Sequence, residues 1–219
     1  MPIRYLPQAI DVLLQTALPR PGSPGEGSTA GSLLLEHGLA ERIMLVYERF
    51  IKDQKSGEGA DLPLINRTAR IAKSCLTDCH ERNEERWLFP LFREEGYLTD
   101  MADALEQQHA AGREVTDKII DLSTPGRIKD ETHVNILMTL CRSYVFMYRP
   151  HISRENSELF PRLSHIATPG VIDDLGGKMA ESTRESLGEQ GFAGPLRELA
   201  EIEQSLDIHD VRSYTIGYG

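Results

Sequence analysis

The chain has 219 residues, enough for one domain with a sizeable core and some appendages but not for two full-size domains. Acidic residues outnumber basic ones 34 to 24, a formal net charge of -10, which removes the basic footprint of a nucleic-acid binder and sets the chain against anionic membrane surfaces. Hydrophobic residues at 40% and charged residues at 26% exclude global disorder.

Taken in chain order, Met1 to Leu18 is interrupted by Arg4, Gln8, Asp11 and Gln15 and makes a poor signal peptide. A short helix is expected over about Pro7 to Thr16. Residues 19–31, PRPGSPGEGSTAG, supply turns and almost no apolar surface, so 1–31 is expected to be an N-terminal helix and linker. Apolar residues then recur three and four apart in Leu33 to Ile51, Leu62 to Phe92, Met101 to Leu122 and Val134 to Leu159. These predict four long helices. Ser28 or Ser32 is placed to cap the first, Gly57 and Gly59 follow it, Gly96 follows the second, Thr99 stands ahead of the third, and Pro125 and Gly126 separate the third from the fourth.

Connections this short favour antiparallel neighbours, so the predicted fold is all-α, an up-down-up-down four-helix bundle over 32–163. Two further helices, about Pro169 to Glu189 and Gly194 to Leu206, and a tail make up an extension over 164–219. They are expected to pack outside the bundle or to form a homo-oligomer contact. No window approaches the ~18 apolar residues of a membrane span. Cys75, Cys79 and Cys141 are an odd, sparse set that predicts reduced thiols and a cytoplasmic location.

One internal repeat carries the chemistry. His80-Glu-Arg-Asn-Glu84 is followed by Leu88-Phe89-Pro90, and His151-Ile-Ser-Arg-Glu155 by Leu159-Phe160-Pro161, 71 residues later. Upstream of each copy stands one helical histidine, His37 and His109, 72 apart. Residues i and i+4 share a helix face, so each HxxxE presents an imidazole and a carboxylate together. Four antiparallel helices would collect four imidazoles and two carboxylates at one level of the core. Buried carboxylates are costly unless paired or metal-bound, and two metal ions bridged by them resolve that cost.

The segments LLLEHG, HERNEERWLFPLF, QHAAGRE and MYRPHISRENSELFP together resemble the hemerythrin-like, or HHE cation-binding, family over about Ser32 to Leu163. The resemblance implies a non-haem centre of two iron ions with an oxide or hydroxide bridge. Its implied ligands are His37, His80, Glu84, His109, His151 and Glu155, with Glu84 and Glu155 bridging. Spacing alone admits zinc or manganese. The implied function is binding of, or reaction with, O2, NO or peroxide in sensing, scavenging or redox protection. Iron storage, delivery or iron-centre repair is the alternative, and a structural metal with partner-binding C-terminal helices is a third reading. Oxygen carriers of the family have a second histidine four residues after the third-helix one, where this chain has Arg113, so the resemblance implies oxidation by O2 and not reversible carriage.

Other residues near the repeat are weighed individually. Glu81 is a candidate additional carboxylate ligand. Tyr148, three residues before His151, is placed either to hydrogen-bond a ligand or to pack in the core, and Tyr144 to pack. Glu41 completes a third HxxxE with His37 but is assigned to a charged pair with Arg42. Cys75 and Cys79 are expected as core thiols, not metal ligands. His133, His165 and His209 fall outside the repeat, and Trp87 is expected to pack so as to keep water from the site.

Overall fold

The computed structural model describes residues 29–59 and 61–216, and all regular structure among them is helical. The helix expected near the N-terminus and most of the linker lie outside the described residues, as does Ser28. The linker's last residues do not remain linker. Helix α1 already begins within them and runs Thr29–Ser56, so Ser32 lies inside it and caps nothing. It stops where Gly57 adopts a φ of +77°, a conformation that other residues enter only with strain.

Helix α2 covers 62–94. The side chain of Asp61 caps it by accepting the Leu64 N–H at 3.2 Å. Its course is not uniform: α-helix over Leu62–Ile71 gives way to a wide π-helical stretch, Ala72–His80. A short α segment, Glu81–Asn83, leads into a second π turn, Glu84–Leu88, and the helix closes as Phe89–Glu94. Helix α3 is Thr99–Ser123. Thr99 is its first residue and not its cap. That position falls to Leu98, which takes a left-handed φ of 51° as the turn after α2 reverses the chain. Helix α4 covers 131–166, with α-helix Glu131–Arg154, a third π turn Glu155–Leu159, and short helical segments Phe160–Arg162 and Leu163–Ile166. Pro90 and Pro161 each follow a π turn directly, inside a helix that continues past them, so the break in pitch coincides with the residue that lacks an N–H.

Packing runs α1 to α2, α2 to α3, α3 to α4 and α4 back to α1, the ring of an up-down-up-down bundle. Helix α5 (Pro169–Leu187) lies against α1 and α2, and helix α6 (Ala193–Ser205) against the same two helices further along. Their apolar residues are spent on this chain's own bundle: Leu175 and Met179 of α5 join one hydrophobic cluster, Leu196, Leu199 and Ile202 of α6 the other. Full burial of side chains such as Leu199 and Ile202 contributes roughly 1.5–3 kcal/mol each. Arg42 of α1 adds a two-pronged pair to Glu203 of α6 at 2.6 and 2.8 Å.

The core is thus in two pieces. One contains Leu39 to Phe50, Leu64 to Cys79, Ile119 and Leu137 to Ile152; the other contains Leu33, Leu88, Phe89, Leu105, Leu159 and Phe160. Between them, on all four bundle helices, lies a buried polar layer.

Candidate metal centre

That layer holds every residue of the predicted ligand set. His37 comes from α1, His80 and Glu84 from α2, His109 from α3, His151 and Glu155 from α4, and none is more than 4% exposed. They form two groups, His37, His80, Glu84 and Glu155, and Glu84, His109, His151 and Glu155, each with ligand-type atoms within 4.8 Å of one another. The two carboxylates belong to both groups. Glu155 turns one oxygen to each side, Oε2 to His37 Nε2 at 3.3 Å and Oε1 to His151 Nε2 at 3.2 Å. Glu84 Oε2 stands 3.5 Å from Nε2 of both His80 and His109.

The tautomers follow from the other ring nitrogens. Nδ1–H of His37 donates to Asn156 Oδ1 at 2.7 Å, that of His80 to Glu36 Oε2 at 2.7 Å, that of His109 to Glu85 Oε1 at 3.1 Å and that of His151 to Gln108 Oε1 at 2.9 Å. All four acceptors lack a proton to give, so the proton of each neutral imidazole is on Nδ1 and its Nε2 lone pair faces inward. These lone pairs approach in twos, at 3.1 Å for His37 and His80 and at 3.2 Å for His109 and His151. With no N–H aimed at them, both oxygens of Glu84 and both of Glu155 are buried without a hydrogen bond. Such an assembly of lone pairs and anionic oxygens is repulsive by itself, and cations among them convert it into a coordination shell. The residues present therefore fit a pair of metal ions.

Electrostatics agree. Burial pushes His109 down to about 4, which keeps it neutral and able to ligate at physiological pH. Burial, and then the charge of Glu155, push Glu84 up. Two like carboxylates so placed resist ionising together unless a cation lies between them.

The π turns start and stop at the ligands: the first ends on His80, the second begins at Glu84 and the third at Glu155. A turn wider by one residue returns position i+5 to the face of i. It brings Phe89 onto the His109 ring, stacked at 5.4 Å, and Phe160 onto the His37 ring, stacked at 5.3 Å. Regular helical periodicity misses this. The available signal was the LFP placement, which sets a phenylalanine five residues after the glutamate in both copies. The four Nδ1 acceptors were missed as well, although Glu36, Glu85, Gln108 and Asn156 each adjoin a predicted ligand in sequence.

Around this shell the other candidates fall into place. Tyr148 is buried and its ring lies 5.6 Å from that of His151, but its hydroxyl donates to Glu81 Oε1, at 2.5 Å, and not to one of the six. Arg113 Nη1 reaches Glu81 Oε2 at 3.3 Å and Glu85 Oε1 at 2.7 Å. Burial raises the Glu81 carboxyl to about 8, against the lowering influence of Tyr148 and Arg113. Glu41 pairs with Arg149 at 3.8 Å and not with Arg42, whose partner is Glu203, because α4 and α6 offer the opposite charges on those faces. The three cysteines are free and buried; burial pushes the Cys75 thiol up to about 12 and that of Cys79 up to about 11. Cys79 donates to Thr183 Oγ1 of α5 at 3.5 Å. His133 helps to start α4 through Asp130, and His165 and His209 are exposed. Trp87 is half-buried at the edge of the bundle, beneath Arg86 and Lys178 of α5.

Comparison with known proteins is consistent with this picture. Residues 30–163 match the model of the hemerythrin HHE cation-binding domain. Relatives include proteins of Mycobacterium tuberculosis (Rv1995) and Mycobacterium bovis (Mb2018), both described as uncharacterized. Each is 30% identical over 183 residues, covering 84% of this chain and 72% of the relative. No solved structure matches the chain. With the match spanning all four bundle helices and the whole polar layer, the chain belongs to the hemerythrin HHE cation-binding domain family.

Proposed function

We propose that this metal-binding protein holds two iron ions between His37, His80, Glu84, His109, His151 and Glu155, and uses them to bind or react with a small molecule, O2, NO or peroxide, in sensing, scavenging or redox protection. The observation that carries the reading is the set of four inward Nε2 lone pairs around two carboxylates whose oxygens have no hydrogen bond. Iron held there supplies redox chemistry toward such ligands. The chain's own part is to orient the imidazoles through Nδ1, to share Glu84 and Glu155 between two positions, and to keep bulk water out with Phe89 and Phe160. Burial of all six side chains favours a retained centre over labile iron for storage, delivery or repair. A cytoplasmic location agrees with three buried free thiols, and a homo-oligomer through α5 and α6 would use their outward faces.

The test is to purify the chain from iron-supplemented cells, measure metal content and record its optical spectrum before and after adding each small ligand. About two irons per chain with a ligand-responsive charge-transfer band is the expected result. Iron that transfers freely to an apo-protein acceptor would favour the delivery reading instead, and no bound metal would overturn both.

A further inference from the structure

Besides Glu36, which is occupied with His80 Nδ1 at 2.7 Å, three carboxylates are buried in the polar layer within reach of its imidazoles, yet they are not equivalent. Glu84 and Glu155 have oxygens without any hydrogen bond, whereas both oxygens of Glu81 are taken, Oε1 by the Tyr148 hydroxyl at 2.5 Å and Oε2 by Arg113 at 3.3 Å. Glu81 is 1% exposed, adjoins His80 in sequence, and forms a third group with Glu85 and His109 whose ligand-type atoms lie within 4.8 Å of one another. It is therefore a third carboxylate at the edge of the centre, held by other side chains.

We propose that Tyr148 and Arg113 act as positioning residues that clamp Glu81 away from the metal pair, so that a coordination position Glu81 would otherwise close stays open to a small exchangeable ligand. The inference rests on the metal-centre reading above and names what governs access to that centre.

Each half of the clamp is itself fixed. The Tyr148 hydroxyl lies where a side chain on α3 would stand. A Cβ at residue 112 would fall 1.7 Å from it, so Gly112 is what admits the phenol to Glu81. Arg113, the next residue, is anchored on Glu85 at 2.7 Å, and Glu85 is in turn held by the Nδ1–H of His109 at 3.1 Å. A carboxylate leaving this arrangement gives up hydrogen bonds to a buried phenol and to a guanidinium. The bond to the guanidinium is charge-assisted, and each of the two is worth up to roughly ten-fold in an equilibrium. The same two residues explain how an arginine fits one turn after His109: it binds the carboxylate that competes for the position and needs no contact with metal.

The experiment titrates azide into the iron-loaded full-length chain and reads its affinity from the charge-transfer band, with iron content and helical signal measured for every variant. The wild type is expected to bind azide. Tyr148→Phe, which releases Oε1, is expected to bind it up to about ten-fold more weakly, because Glu81 now competes. Adding Glu81→Gln to Tyr148→Phe is expected to restore wild-type affinity, which a merely structural defect at Tyr148 would not allow. Should Tyr148→Phe fail to fold or load, Gly112→Ala displaces the same hydroxyl and is read in its place. Equal azide affinity in wild type and variant, or a loss that Glu81→Gln does not repair, overturns the clamp while leaving the di-iron reading intact. A wild-type chain that takes up no iron overturns both.

Discussion

Glu36 Oε2 accepts the Nδ1–H of His80 at 2.7 Å across the α1–α2 interface, from the position directly before His37. One dipeptide of α1 thus supplies a candidate ligand and the support of its neighbour's ligand. The arrangement recurs at Glu84-Glu85, Gln108-His109 and Glu155-Asn156.

Glu36→Ala is accordingly expected to keep the fold and lower metal affinity by about 10- to 100-fold, the usual consequence of removing an acceptor behind a ligating imidazole. Chelator competition measures it. Asn156→Ala, which removes a neutral acceptor from His37, should cost less, and equal losses would show that charge at the acceptor is unimportant.

His80→Ala and His151→Ala are each expected to reduce bound metal sharply, since each removes an inward lone pair and leaves Glu84 or Glu155 poorly compensated. His133→Ala, remote and paired with Asp130 at 2.7 Å, should leave metal content unchanged. Metal analysis of the three proteins decides; the same content in all would refute the ligand assignment.

Acid should weaken the metal-free chain in a defined window. The folded state holds His109 at about 4 against an ordinary value of 6.5, so the unfolded chain binds more protons between those values. The corresponding stability is complete above about 6.5, is lost as pH falls toward 4, and amounts to a few kcal/mol, roughly 1.4 per pH unit. Glu81 works in the opposite sense. Its carboxyl, raised to about 8, favours folding below its ordinary value and loses that contribution as pH rises through 8. Denaturant midpoints from pH 4 to 9 should therefore form a dome, with the acid side flattened in His109→Gln.

Oxygen should oxidise the diferrous protein instead of cycling on and off it. Arg113 stands four residues after His109, where oxygen carriers of this family place another histidine, and here its guanidinium is engaged by Glu81 and Glu85. Anaerobic diferrous protein mixed with O2 and then evacuated gives the answer. Full, repeated recovery without added reductant would contradict it.

Much of this was legible in the sequence because ligands four apart on a helix share a face whatever surrounds them. His80 with Glu84 and His151 with Glu155 obey that rule, and the repeat then places His37 and His109. What was not legible depends on register between helices. The Nδ1 acceptors act on imidazoles of neighbouring helices, and Glu41 finds Arg149 of α4 instead of the adjacent Arg42. The π turns escape periodicity analysis because it assumes one pitch throughout. Leu98 was unreadable as a cap for another reason: a leucine at positive φ is held there by the turn around it and not by its own preference.

The supports behind the two histidine pairs differ in one respect. Glu36 bears on His80 alone, whereas Glu85 divides its charge between His109 and the Arg113 guanidinium. The remaining supports, Asn156 and Gln108, are neutral. Cations held in this layer would then meet unequal surroundings: one beside His80 would have an undivided carboxylate behind its imidazole, and one beside His109 a carboxylate already shared with a guanidinium. The repeat that matches the two sides in ligands does not match them in charge.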